Sequence, residues 1–530
     1  MTHRDFAASA GRAGTRHQTG RLRGPDRTLL GAAGLGAVTV AGFAPLYLYV
    51  LPVCTVAALM WLWSQASTPR RTFALGWWFG LGFFLTGVSW IYVSLSTFGG
   101  MPAALAAFFT LLFCAFLALF PATTGYCFGA LRVPLWSKLL IIAPTAWTLS
   151  EWIRGWIFTG FPWIAIGYSQ VPMSPLAGFA PVLGVFGVSL LTVLSGGLLV
   201  LLVERVRGVS TAMVDIPHGT RSRGLVGVAL LVVMWGAGQA LKEARWTEPT
   251  GDAVTVTLLQ GNISQDVKWT ADGLRTTLLR YRELALASES RLIVLPETAI
   301  PLFLHDVPAD YLAEIAKHAR RNGGDALIGV PERQASGDYY NTVISLGVSP
   351  TQAYRKSHLV PFGEFIPLRP ILGWIVSVLA IPLQDFSRGS ELQQPLAVGG
   401  QHVAVNICYE DAFGEEIIRQ LPAATLLANV SNVAWFGRSI APYQHLQISQ
   451  ARALEAGRYM IRATNTGMTG VINERGHVLH LAPQFSMAAV TAPVQGYAGA
   501  TPYVRLGNAP VIGLCMSLLL GSLLYARLRR

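Results

Sequence analysis

Apolar residues run in long blocks through the first half of the chain and again at its end, while the stretch between them alternates short apolar runs with polar ones. The blocks cover residues 29–44, 47–63, 72–95, 102–130, 139–158, 179–203, 224–241 and 507–524. A helix needs roughly 17–25 apolar residues to cross a bilayer. The pattern therefore predicts eight transmembrane helices, the first two short and divided only by Pro45-Leu46. Loop charge supports that count, because cytoplasmic loops carry an excess of Lys and Arg. With the N-terminus inside, Arg70-Arg71, Arg132 with Lys138, the group Arg205, Arg207, Arg221 and Arg223, and the terminal Arg527, Arg529 and Arg530 all fall on the inner side. Loops 96–101 and 159–178 contain no Lys or Arg and fall outside. Fusing the first two blocks would put Arg70-Arg71 on the wrong face. Residues 1–28, with Arg4, Arg12, Arg16, Arg21, Arg23 and Arg27, read as a cytoplasmic basic tail ahead of a retained anchor.

The long polar stretch 242–506 then lies outside, on the periplasmic side. Strands are predicted at 254–259, 292–295, 326–330, 342–346, 403–407 and 426–428. Helical periodicity places Leu274, Leu278, Tyr281 and Ala285 on one face, and Tyr311 or Leu312 with Ile315 and Ala319 on another. Strands alternating with helices predict an α/β fold of layered sheets covered by helices. Two segments depart from this pattern. Residues 371–383, with Trp374 and Leu379, are apolar and uncharged but too short to span, so they read either as a core helix or as a loop at the lipid interface, the latter favoured because they lie in a long insertion between two chemical motifs. Trp435-Phe436-Gly437 reads as an exposed aromatic tip. The outer segment 160–168, with Phe161, Trp163 and Tyr168, reads as an interfacial aromatic belt.

Composition agrees with a membrane protein: 52% of the 530 residues are hydrophobic and only 13% charged. The net charge of +12 raises the question of nucleic acid, and its distribution excludes that. Residues 242–506 hold 22 Lys and Arg against 23 Asp and Glu, so the surplus flanks the apolar blocks and forms no basic groove. Within the blocks, Glu151 and Arg154 stand three apart near the outer end of the fifth; an ionisable pair at membrane depth is either functional or self-neutralising. Of five cysteines, Cys54, Cys114, Cys127 and Cys515 lie in apolar blocks, and Cys408 alone lies in the polar stretch. No disulfide framework is available there, and no Cys or His spacing suits a metal.

Chemistry concentrates at three predicted strand ends. Leu295-Pro296-Glu297-Thr298 places a carboxylate after a buried strand. Tyr354-Arg355-Lys356-Ser357-His358 offers one of only four lysines between 242 and 506, with Glu364 further on. Asn406-Ile407-Cys408-Tyr409-Glu410 ends a strand in a thiol, held by the sheet yet facing a cleft, which suits a covalent nucleophile. Taken singly, each is more often a helix cap, a solvated lysine or a small buried hydrophobe.

Together these motifs resemble the nitrilase (carbon–nitrogen hydrolase) superfamily. With the membrane blocks, the chain is similar to its apolipoprotein N-acyltransferase family, found in bacterial cytoplasmic membranes. Further stretches that match are 87–94, 160–168, 431–437, 462–467, 501–503 and Gly507-Asn508; Val433 departs, standing where relatives commonly carry an acidic residue. The resemblance implies a membrane helical bundle of about eight helices (29–241 and 507–530) with a periplasmic nitrilase-like α-β-β-α sandwich (242–506). It implies Cys408 as nucleophile, Glu297 as general base and Lys356 as oxyanion stabiliser. Glu364, Tyr409 and Glu410 would support them, Trp269 would line substrate entry, and Trp374, Leu379, Trp435 and Phe436 would form lids. The implied partners are a phospholipid acyl donor such as phosphatidylethanolamine, a diacylglyceryl apolipoprotein acceptor and the bilayer, with no cofactor and no metal. Two readings compete: a membrane-anchored amidase for small soluble substrates, and a transporter or scaffold with a degenerate outer domain. Intact Glu297, Lys356 and Cys408 and the scarcity of charge inside the blocks count against the second. If 371–383 is a lid, Trp374→Ala with Leu379→Ala slows lipid turnover severalfold while leaving the melting temperature nearly unchanged; unchanged turnover removes that role.

Overall fold

The computed structural model describes residues 26–206, 220–367, 370 and 385–529. The basic tail up to residue 25 and the segment carrying Trp374 and Leu379 lie outside these residues. Every predicted apolar block contains a helix, the main ones being Arg27–Thr39, Val50–Ser64, Pro69–Val88, Ala103–Leu117, Leu119–Ala130, Ala143–Arg154, Ala180–Val206, Thr220–Glu243 and Ala509–Leu528. Among the described residues, four stretches are long and apolar enough to cross a membrane unaided: Ala103–Ala130, Pro175–Glu204, Val226–Glu243 and Ala509–Leu528. Pro69–Val88 with Ile91–Phe98 makes a fifth if that pair, bent by 55°, is one span. Arg27–Gly42 and Val50–Ser64 are apolar but shorter. Two glycines set one close helix crossing. A Cβ on Gly36 would overlap the Phe79 carbonyl, and one on Gly82 the Ala33 carbonyl, so the helices Arg27–Thr39 and Pro69–Val88 meet backbone to backbone.

The remainder is a sandwich of two six-stranded sheets, with a small pair β1 (Glu248–Pro249) and β14 (Tyr497–Ala498) beside it. The first sheet holds β2 (Val254–Gln260), β3 (Leu292–Val294), β4 (Asp325–Arg333), β5 (Tyr339–Gly347), β6 (Ala353–Arg355) and β13 (Ala488–Val494), in the order β13-β2-β3-β4-β5-β6. The second holds β7 (Leu396–Val398), β8 (Gln401–Ile407), β9 (Leu426–Ser431), β10 (Met460–Thr464), β11 (Gly470–Ile472) and β12 (Val478–Leu481), in the order β12-β11-β10-β9-β8-β7. The central strands β2-β3-β4 and β8-β9-β10 run parallel and are buried on both faces, as doubly covered strands must be. Val256, Leu258 and Val294 of one sheet share a core with Val405, Ile407 and Ala428 of the other. Helices Ala271–Leu286 and Ala309–Arg321 cover the first sheet through Tyr281, Ala285 and Ile315. The helix Ala441–Ala456 covers the second through Leu446, Ala453 and Ala456. The layers are thus α-β-β-α.

That last helix is also where the sandwich meets the apolar helices. Every residue of Ala441–Ala456 except Tyr443 is buried, including Gln444, Gln447, Gln450 and Glu455. Buried polar groups need partners, and these find them across the junction. Gln444 donates to the Gly87 carbonyl at 3.0 Å and accepts from the indole N–H of Trp163 at 2.8 Å. Gln447 accepts from the Ala44 N–H and donates to the carbonyls of Tyr168 and Val171, each at 2.9 Å. Glu455 accepts from the Val185 N–H at 2.7 Å. The tip expected to be exposed at Trp435-Phe436 is instead partly buried here. Phe436 packs edge-on against Trp90 at 4.7 Å and Trp435 against Phe98 at 6.3 Å, while Ser94 donates to the Trp435 carbonyl at 2.8 Å. Two aromatic rings facing an aromatic pocket bury apolar area that exposure would leave in water.

Candidate active site

Three strand ends converge, each for a sequence reason already visible. Leu292–Val294 is buried on both sides, and Pro296 stops the strand one residue before Glu297. Lys356 follows β6, and Cys408 follows β8. Glu297 is 7% exposed and Lys356 1% exposed, so both need compensation. One Glu297 oxygen accepts from the Asn341 side chain at 2.8 Å and the other from the Asn432 N–H at 2.7 Å. The Lys356 ammonium lies 3.6 Å from Glu297 and 2.9 Å from Glu364. Glu364 also accepts from Asn341 at 3.0 Å and from the Val360 N–H at 2.8 Å, which aims it at the lysine.

Charge follows from this packing. Burial alone pushes the Lys356 ammonium down, but the carboxylates of Glu364 and Glu297 outweigh it and hold the group above its ordinary range. Lys356 is therefore a fixed cation. Burial pushes the Cys408 thiol well up, the negative charge of Glu297 adds to that, and Lys356 opposes both. A thiol so placed is protonated at rest and needs a base at the moment of attack.

Cys408 itself adopts φ +56°, a left-handed conformation that a side chain disfavours. Its carbonyl accepts from Asn429 Nδ2 at 3.0 Å and from His445 Nε2 at 3.1 Å, which holds the turn. His445 Nε2 also lies 2.8 Å from Asp411, so the proton sits on Nε2. Ser449 donates to Asp411 at 2.5 Å and Arg462 does so at 3.2 Å. Asn429, His445, Asp411 and Arg462 were not singled out by sequence. Arg462 carried the clearest available signal, a charge in the middle of an otherwise uncharged strand.

Glu410 joins the lysine and the thiol. One oxygen accepts from the Ser357 N–H at 2.7 Å, its hydroxyl at 3.0 Å and the His358 N–H at 3.0 Å. The other accepts from the Ile407 N–H at 2.7 Å and the Tyr354 hydroxyl at 3.0 Å. The residues just after Lys356 and just before Cys408 thus hang on one carboxylate. Tyr409 points the other way: its hydroxyl donates to the Gly160 carbonyl at 3.0 Å and its ring stacks on Trp163 at 6.2 Å. Glu151 and Arg154 shape that same loop. Glu151 accepts from Trp147, Ser189 and the Ile166 N–H, and Arg154 donates to the carbonyls of Phe161 and Trp163. Trp269 stands at the edge, 36% exposed. Trp435 and Phe436 belong to the junction with the helical region rather than to a free rim. Among the described residues no group of three or more His, Cys, Asp or Glu suits a metal ion.

Comparison with known proteins matches both halves. Residues 35–198 match the family model for the apolipoprotein N-acyltransferase N-terminal domain, and residues 255–503 the model for carbon-nitrogen hydrolase. The chain is 53% identical over 501 residues to an apolipoprotein N-acyltransferase of Nitrosomonas europaea, covering 94% of this chain and 97% of that one. It is 43% identical to the one from Chromobacterium violaceum, covering 98% and 99%. Among solved structures it is similar to the NitFhit protein of C. elegans, with 17% identity, a TM-score of 0.38 and coverage of 51% of this chain and 65% of that one. An amidase from Nesterenkonia sp. has 16% identity and a TM-score of 0.36, with 49% and 96% covered.

The Glu410 carboxylate faces only donors, so Glu410→Gln must turn an N–H₂ toward one of them. A hydrogen bond to a charged group contributes about 1.5–3 kcal/mol, so the variant loses about 10–100-fold in turnover while remaining folded by thermal melt. The exposed Glu391→Gln serves as control and is unaffected; equal behaviour of the two would remove Glu410 as the brace.

Proposed function

We propose, from the premise that this chain belongs to the apolipoprotein N-acyltransferase family, that it moves a fatty acyl chain from a phospholipid to the α-amine of a diacylglyceryl-cysteine lipoprotein through a thioester on Cys408. The observation that carries this reading is the convergence of Glu297, Lys356 and the Cys408 turn at one end of a sandwich that is bonded to apolar helices by Tyr409, Gln444 and Gln447. An amidase for small soluble substrates fits less well, since its substrate would have no use for that junction.

In the first half-reaction, Glu297 accepts the Cys408 proton as sulfur attacks an ester carbonyl of the donor. The negative charge formed on the carbonyl oxygen is met by Lys356 and by the backbone N–H that follows Cys408, each such donor being worth about 3–4 kcal/mol in the transition state. Collapse breaks the acyl C–O bond, Glu297 returns the proton to the leaving glycerol oxygen, and lysophospholipid departs. In the second half-reaction the neutral α-amine of the acceptor attacks the thioester. A C–N bond forms, the C–S bond breaks, and Glu297 carries the amine proton back to sulfur. Because Lys356 is held as a cation by two carboxylates, it stabilises charge and moves no proton.

The frame we propose has residues 29–241 and 507–530 as eight spans with both ends cytoplasmic, and 242–506 periplasmic. The donor is phosphatidylethanolamine. What supports the eight-span frame is the basic residues grouped in alternate loops. It also explains the hydrogen-bonded junction: both substrates bring chains whose transfer out of lipid costs about 0.8 kcal/mol per CH₂, so the thiol must stay close to the bilayer.

Two variants separate the roles. Incubated with labelled phosphatidylethanolamine, Cys408→Ala yields no acyl adduct by mass spectrometry, and an adduct on that variant excludes Cys408 as nucleophile. Glu297→Gln keeps the fold but slows adduct formation by about 10²–10⁴-fold, the usual worth of a general base; adduct formation at the normal rate excludes it as the base.

A further inference from the structure

Glu297 feels a second ammonium that the scheme above does not use. Lys268 ends the short helix Gln265–Lys268, which follows β2. The helix is tied to the site by its first residue: Asn432 donates its side-chain N–H to Gln265 at 3.0 Å and its backbone N–H to Glu297 at 2.7 Å. Lys268 is 2% exposed, and its ammonium lies 5.9 Å from the centroid of the half-open Trp269 ring. Among the described residues it makes no side-chain hydrogen bond and no ion pair within contact distance. An ammonium on so buried a side chain, with no acceptor of its own, is available to an acceptor brought by a bound molecule. Burial pushes this amine down to about 8, with Glu297 opposing, so it still carries its proton at neutral pH.

The chemistry of the two substrates says which anion suits it. Both are diacylglyceryl compounds, and both must present a reacting atom to Cys408. The donor has a phosphodiester one short glycerol linker from the reacting carbonyl, whereas the acceptor has a thioether there and its own charge is an amine. A lysine is a compact point charge well matched to phosphate oxygens. We propose that Lys268 holds the phosphodiester of the donor phospholipid while one of its ester carbonyls lies at Cys408. The proposal rests on the acyl-transfer reading and deepens it, making Lys268 a residue that selects the substrate of the first half-reaction and is silent in the second.

The test uses the full-length protein in mixed micelles and follows acyl thioester on the Cys408 peptide by quenched-flow mass spectrometry. Two donors are compared: phosphatidylethanolamine and p-nitrophenyl palmitate, an ester without phosphate. Lys268→Met is expected to slow acylation from the phospholipid at least about tenfold more than acylation from the nitrophenyl ester, and Lys268→Arg to recover most of the phospholipid rate and so remove that discrimination. Lys268→Gln carries the same comparison should the Met variant fail to melt cooperatively. Equal losses with both donors would make Lys268 a counter-charge for Glu297 and overturn the proposal, as would no loss with either. A wild-type protein that forms no thioester from either donor would sink the acyl-transfer reading itself. Thioester in the wild type without donor discrimination in the variants sinks the Lys268 assignment alone.

Discussion

A single buried carboxylate, Glu410, determines whether the reactive groups share one geometry. Lys356 and Cys408 belong to different sheets, and the two loops that carry them have no strand pairing in common. Five donors from those loops and from Tyr354 converge on Glu410, which is 2% exposed. Burial pushes that carboxyl upward, and the backbone N–H groups of Ile407, His358 and Ser357 together with Lys356 oppose it. The arrangement is worth having only when complete, since a half-satisfied buried network is less stable than an apolar core. Through it the loop of Lys356 and the left-handed turn of Cys408 are tied to one group.

The same economy of partners joins the two halves of the chain. On an isolated sandwich the helix Ala441–Ala456 would present Gln444, Gln447 and Glu455 to solvent at little cost. Buried against Gly87, Trp163, Tyr168 and Val185, each finds a backbone or indole partner. Glu151 and Arg154 then have a structural meaning: they fold the Gly160–Tyr168 loop that receives Tyr409 and Gln447. Their position in the last turn of the helix Ala143–Arg154, next to that loop, follows from that task.

Much of this was legible from residue order. Val403–Ile407, Leu292–Val294 and their neighbours announced strands by apolar runs, and the residues that ended them, Cys408 and Glu297, were chemical rather than turn-forming. The sandwich partners were harder. Leu396–Val398 and Gly470–Ile472 are three-residue strands with no alternation long enough to recognise. Asn429, His445 and Arg462 come from separate elements and are ordinary residue types; only the left-handed turn at Cys408 shows why they are needed. Trp435 and Phe436 illustrate the converse error. An aromatic pair flanked by polar residues reads as an exposed tip, and nothing local reveals that Trp90, Phe98 and Trp163 wait on another part of the chain.

In the proposed mechanism sulfur divides acyl transfer into two half-reactions. This is tested by lysophospholipid release from a donor radiolabelled in its acyl chains, supplied in excess over the protein with no acceptor present. The expected result is a burst approaching one lysophospholipid per protein, with label retained on the enzyme and discharged on adding a diacylglyceryl-cysteine peptide. Release that begins only when the peptide is added would mean that donor and acceptor meet in a single ternary complex, and the covalent account would be wrong.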